Sequence, residues 1–183
     1  MSALTPDDAR VILDRVSLPS LQAEHPVTKT VIGAIPADRA DFRPDPITRS
    51  AIELAWHIVT AEIRFLDAVA SGAFDLTPRP RPDSIRTPAD VNTWYEREFP
   101  RAVERLKNAS GDDLVKPIDF RGLFQFPAVI YTQLALSHSV HHRGQLSMYL
   151  RPMGARVPSI YGESYDARVA REEAQAKAGT TTR

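Results

Sequence analysis

Proline placement constrains this chain more than any other feature. Fifteen prolines fall among 183 residues, and each one removes a backbone donor and fixes φ. They confine long helices to a few segments. TRSAIELAWHIVTAEIRFLDAVASG, residues 48–72, is one. Ser50 and Glu53 form a capping-box pattern, Gly72 supplies a stop, and Ile52, Leu54, Ile58, Ile63, Phe65 and Leu66 cover most of the circumference. A helix buried on nearly all sides follows. A second segment runs from about Pro127 to Met153, with Gly154 as its end signal. A third starts at Thr87-Pro88, a cap followed by a first-turn proline, and carries Val91, Trp94, Tyr95, Phe99, Val103 and Leu106 to about Asn108.

The remaining segments are shorter or conflicted. Residues 6–16 suit a short helix capped by Thr5, and Ser17-Leu18-Pro19 reads as a fresh start. The pattern Leu21, Val27, Val31, Ile32, Ile35 is helical, but Pro26 lies inside it and predicts a kink or an interruption. Pro100 poses the same conflict in the third helix. IPADRADFRPDPIT and TPRPRPDSIR read as loops. PIDFRGLFQF is β-prone around Gly122 and suits a hairpin or an irregular connection. Residues 163–178 are polar and alanine-rich, as in an exposed terminal helix, and the tail 179–183 is expected to be disordered. Four long helices with little strand between them predict an all-α four-helix bundle with an extra C-terminal helix, as one domain over residues 1–183 with its core at about 17–162.

Composition narrows function. Lys+Arg and Asp+Glu balance at 23 each, so no overall charge draws the chain to nucleic acid or an anionic membrane. It has no cysteine, which excludes disulfides, thiolate metal sites and a cysteine nucleophile. MSALTPDDARVILDR lacks a secretory pattern, and the apolar segments carry His, Glu, Arg or Gln, so a cytoplasmic protein without membrane spans is expected.

HSVHHRGQ, residues 138–145, holds three of the five histidines. His138 and His142 are four apart and share a helix face, the spacing by which two imidazoles take one metal ion in HExxH helices. Ser139 stands where that protease motif has its general-base glutamate. His141 points off that line and is assigned to the surface or the surroundings of the pair. A third ligand would complete a three-histidine site with an open position. His57, in AWHIV, is a better candidate than His25 beside Pro26. The spacing fits metal ligation, and it equally fits histidines hydrogen-bonded in a core. A di-iron carboxylate site is excluded, because it needs two Glu-x-x-His units and the chain has none. Helical spacing also brings Tyr131, Gln145 and Tyr149 toward the face of His138 and His142. Glu53, four before His57, suits either orienting its ring or the capping box. Arg143 suits a structural ion pair, and Gly144 a close helix contact.

HxxxHRGQL followed by VPxxYG resembles the DinB/YfiT-like family of helical bundles, which is unrelated to the DNA polymerase sharing the name. LQAEHPVTKTVIGAIPADRADFRPDPITRSAIELAWHIVTAEIRFLDAVASGAFD is similar to the family's N-terminal half, and HHRGQLSMYLRPMGARVPSIYG to its C-terminal motif. Together they span residues 17–162. The resemblance implies a four-helix bundle, commonly dimeric, with a divalent metal, zinc or nickel, held by three histidines. By position these are His57, His138 and His142. Some relatives are transferases that use a low-molecular-weight thiol such as bacillithiol or mycothiol. For this chain the resemblance implies a metalloenzyme acting on a small molecule, most plausibly by thiol transfer, as a homodimer without nucleic acid. A metal-dependent hydrolase, a non-catalytic bundle whose metal stabilises the fold or a dimer, and a stress-response binding module without metal are the alternatives. Pro100 and the proline-rich loop before residue 88 are the departures that could reshape a substrate entrance.

Overall fold

In a computed structural model describing residues 4–180, seven α-helices and one hairpin are ordered along the chain. They are α1 (Pro6–Ile12), α2 (Leu18–Gly33), α3 (Ala51–Ser71), α4 (Pro88–Lys107), α5 (Gly111–Val115), β1 (Pro117–Phe120), β2 (Phe124–Pro127), α6 (Ile130–Leu150) and α7 (Tyr165–Thr180). The bundle is built from α2, α3, α4 and α6. Helix α3 packs against α4 and α6, and α2 packs against the same two from the other side. Leu21, Ile32, Ile52, Ile58, Leu66, Tyr95, Leu106, Tyr131 and Leu146 are fully buried between them. Among the described residues, no helix is long and apolar enough to cross a membrane.

Local chemistry sets the helix ends. Ser50 accepts from the Glu53 N–H, Glu53 accepts from the Ser50 N–H at 2.9 Å, and Gly72 closes α3 in the left-handed region at φ 79°. Thr87 and Asp90 form the same reciprocal cap on α4, with Pro88 in its first turn. The β-prone segment is an antiparallel hairpin in which Ile118 faces Phe126 and Phe120 faces Phe124. Arg121 and Gly122 take positive φ at its tip.

Two expected helix starts and one possible interruption are not found, for identifiable reasons. There is no fresh start at Ser17. A π-type turn over Leu13–Ser17 joins α1 to α2, closed by the Leu18 N–H on the Leu13 carbonyl. That wider turn gives room to the Pro19 ring, which would clash with the carbonyl four residues back in a regular helix. Pro26 and Pro100 interrupt nothing; α2 and α4 run through them. Both rings lie on the exposed side of the bundle, where the carbonyls they leave unpaired face water. Helix α6 begins at Ile130, three residues later than expected, because Pro127 completes the hairpin and Ala128 and Val129 donate to the Lys116 and Leu114 carbonyls. The terminal helix is exposed over residues 171–178, as its composition suggests, is part-buried at Asp166, Ala167, Val169 and Ala170, and is continued by Gly179 and Thr180. Residues 181–183 of the expected disordered tail lie outside the described residues.

Candidate metal centre

The tight packing of α3 on α6 brings His57 to the pair His138 and His142. Ring centroids lie 4.9 Å apart for His57 and His138, 4.7 Å for His57 and His142, and 4.4 Å for His138 and His142. One nitrogen from each ring lies within 4.8 Å of the others. The Nε2 atoms of His57 and His142 are 3.3 Å apart. Two nitrogens about 2.0–2.1 Å from one tetrahedral ion are separated by roughly 3.3 Å, so this pair already has a ligand-like spacing.

Proton placement supports the same reading. Gln145 Oε1 lies 2.6 Å from His142 Nδ1. An amide oxygen only accepts, so the proton sits on Nδ1 and the Nε2 lone pair faces His57. His138 Nδ1 is buried without a hydrogen-bond partner. A buried imidazole nitrogen left unpaired is costly, so the protein itself does not meet the hydrogen-bonding capacity of this ring. All three rings are held neutral. Burial, then the charge of Arg49 and the neighbouring imidazoles, pushes His57 down to about 3. Burial, then His142 and His141, takes His138 to about 4. His142 is lowered chiefly by burial, against the Gln145 bond that raises it. Neutral imidazoles are the form that ligates a metal, so the residues fit a divalent ion.

The other candidates are placed as follows. Tyr149 lines a cavity of about 520 Å³ together with His142 and Gln145. Tyr131 is fully buried, and its hydroxyl donates to the Ile118 carbonyl at 2.6 Å, which ties α6 to the hairpin. Glu53 makes no bond to His57; its carboxylate is taken by the Ser50 cap and by Arg43 at 2.9 Å. His141 is exposed, with its ring edge-on to His142 at 4.8 Å. His25 lies apart, stacked on Phe99 at 4.3 Å. The expectation for Gly144 is wrong, since it is exposed and a Cβ there would meet nothing within 4 Å. The proline-rich loop does reach the site, because Arg79, Pro80 and Arg81 line a cavity of about 550 Å³ beside His57. Pro100 lines a different cavity, with His25.

Sequence reasoning missed the polar core beneath the histidines. Glu62 of α3 is 1 % exposed. Tyr95 of α4 donates to one of its oxygens and Ser139 of α6 to the other, at 3.3 Å. Burial raises its carboxyl to about 7, against the hydrogen bonds from Tyr95 and Ser139 and the charge of Arg143. An acid between the apolar positions Ile58 and Ile63 of this largely buried helix was the available signal. The linkage has a definite sign. The folded-state pKa lies above the unfolded value, so the contribution to stability is complete below about 4.5 and is lost as pH rises toward 7. Glu62→Gln, which cannot ionise, should therefore gain on the wild type between pH 5 and pH 8 in urea unfolding. A constant difference across that range would show that Glu62 does not titrate abnormally.

Residues 9–175 match the sequence profile of the DinB family. The chain is 28% identical over 130 residues to protein YjoA of Bacillus subtilis, a match covering 70% of this chain and 82% of that protein. It is 32% identical over 112 residues to protein YrdA of the same organism, covering 60% of this chain and 64% of that protein. Among solved structures, a DinB-like protein from Bacillus cereus superimposes with a TM-score of 0.67 at 26% identity, over 79% of this chain and 95% of that one. The crystal structure of B. subtilis YjoA gives 0.62 at 24% identity, over 75% and 91%. With the bundle, the histidine cluster and the profile match in agreement, the chain belongs to the DinB family.

Proposed function

We propose that this chain is a divalent-metal-dependent enzyme catalysing thiol-dependent transfer on a small molecule, with His57, His138 and His142 holding zinc or nickel. The observation that carries the reading is the convergence of three neutral imidazoles with no fourth His, Cys, Asp or Glu ligand among the described residues. A structural site takes its fourth ligand from the protein, whereas a catalytic one keeps that position open. When bound, the ion supplies Lewis acidity and lowers the pKa of a protic ligand.

The surrounding residues favour a thiol over water as that ligand. Activation of water in HExxH helices relies on a glutamate base, and none is free here. Ser139 occupies that position and turns inward to Glu62. Glu53 is locked in its cap, and Glu62 is sealed in the core. A thiol, with a pKa of about 8.5, ionises without such help. The chain has no cysteine of its own, so the thiol arrives from outside. The homodimer implied by the family resemblance belongs to the same proposal.

Gln145 acts as a positioning residue by fixing the His142 tautomer and ring. Gln145→Ala should weaken metal binding about 10–100-fold, as is usual for loss of a partner behind a ligating histidine. Competition with a chromogenic chelator reads this directly, and unchanged affinity would remove Gln145 from the site. The reaction class is tested by titrating cobalt(II)-loaded protein with small thiols. The expected result is a visible absorption change on thiol addition, with thiol consumed when an electrophile is supplied. Loaded protein whose spectrum ignores every thiol would rule thiol transfer out.

A further inference from the structure

Two cavities meet the histidine cluster, one beside His142 and one beside His57, and Arg49 lines both. The surrounding charges do not cancel. Arg43 is paired with Glu53 at 2.9 Å, and Arg79 with Asp75 at 3.2 Å and Asp67 at 3.8 Å. Arg64 and Arg81, on the His57 side, only donate to the Thr77 and Ile85 carbonyls, and Arg64 Nε is buried without a partner. Arg49 itself makes no hydrogen bond or ion pair among the described residues. It lies close enough for its charge to act on all three histidines.

Arg49 is exposed and lines both cavities, so its guanidinium is free to meet a ligand that enters either one. Beside a divalent cation the guanidinium is repelled. An anion held between them relieves that repulsion, and a guanidinium fork matches the planar carboxylate or the phosphate face. We propose that Arg49, aided by Arg64, is the specificity element of the site, and that the substrate or its thiol partner carries an oxyanion, a carboxylate or a phosphate, which Arg49 binds. The proposal rests on the metal-site reading for where the reacting atom lies, and it predicts that metal and anion bind cooperatively.

The test uses 3-mercaptopropionate and its uncharged amide, titrated calorimetrically into zinc-loaded and chelator-stripped protein, with inorganic phosphate in a parallel titration. The acid should bind both forms more tightly than the amide, by about tenfold or more, the range of a charged hydrogen-bonded pair. Arg49→Gln should bring that ratio close to one and tighten zinc binding, because a like charge has been removed. A merely structural arginine would not give these opposite changes. Phosphate competing with the acid would mark a general oxyanion site, and phosphate failing to compete a carboxylate-selective one; both support the proposal. No preference for the acid in either form would overturn it, as would a preference that survives Arg49→Gln. An Arg49-dependent preference in protein that binds no zinc would sink the metal reading alone. Zinc binding without the preference would sink this inference alone.

Discussion

Arg143→Ala should destabilise the protein by about 3 kcal/mol, the low end of the range for removing one member of a buried ion pair, because the Glu24 side chain left behind is 18% exposed. Arg143 is 1 % exposed. Its guanidinium meets the Glu24 carboxylate at 2.5 Å and donates to Thr28 Oγ1 at 3.1 Å, which ties α6 to α2. It also bonds the Tyr161 hydroxyl, which in turn reaches Glu24 at 3.0 Å. The arginine of HRGQL and the tyrosine of VPSIYG are thus two ends of one network. Alanine removes the charge and the forked donors together and leaves a void. Tyr161→Phe deletes only a hydroxyl and should cost about 1 kcal/mol. Pairing Arg143→Met with Glu24→Gln should recover part of the loss, because neither charge is then left alone. Urea unfolding measures all three. A cost below about 1 kcal/mol for Arg143→Ala would show that the network holds little.

Zinc should stabilise the wild-type protein and leave the histidine variants unchanged. An ion that binds only the folded state at a free concentration a thousandfold above its Kd adds about 4 kcal/mol. For a chain of this size that raises the melting temperature by roughly 8–16 °C. His57→Ala, His138→Ala and His142→Ala should each abolish the rise, since two imidazoles make a weak site. The metal-free variants should still fold, because all three histidines are only partly buried. A rise of equal size in wild type and variants would place the effect elsewhere on the chain.

What the sequence made legible was whatever depends on local chemistry. The Ser50–Glu53 and Thr87–Pro88 caps are four- and two-residue patterns, and they are where the pattern puts them. The spacing of His138 and His142 places them on one helix face, and His57 is preferred to His25 because it lies in the middle of the most buried helix whereas His25 sits beside Pro26. Illegible features depended on which side of a helix faces water. Pro26 read as a kink or an interruption and Pro100 as a conflict inside a helix, and both helices run through them with the rings exposed. Gly144 read as a contact point, and it faces open space. Glu62 and Arg49 were missed for opposite reasons. Glu62 is recognisable only once Tyr95 and Ser139 surround it. Arg49 is set beside the histidines by the path of a proline-rich loop, which no periodicity encodes.

Metal content tests the central claim most directly. Untagged, gently purified protein is assayed by mass spectrometry for bound metals, beside His57→Ala, His138→Ala and His142→Ala, with circular dichroism to show that each is folded. The account predicts about one divalent ion per wild-type chain and none in any folded variant. Wild-type protein that holds no ion even after loading with zinc or nickel would contradict it.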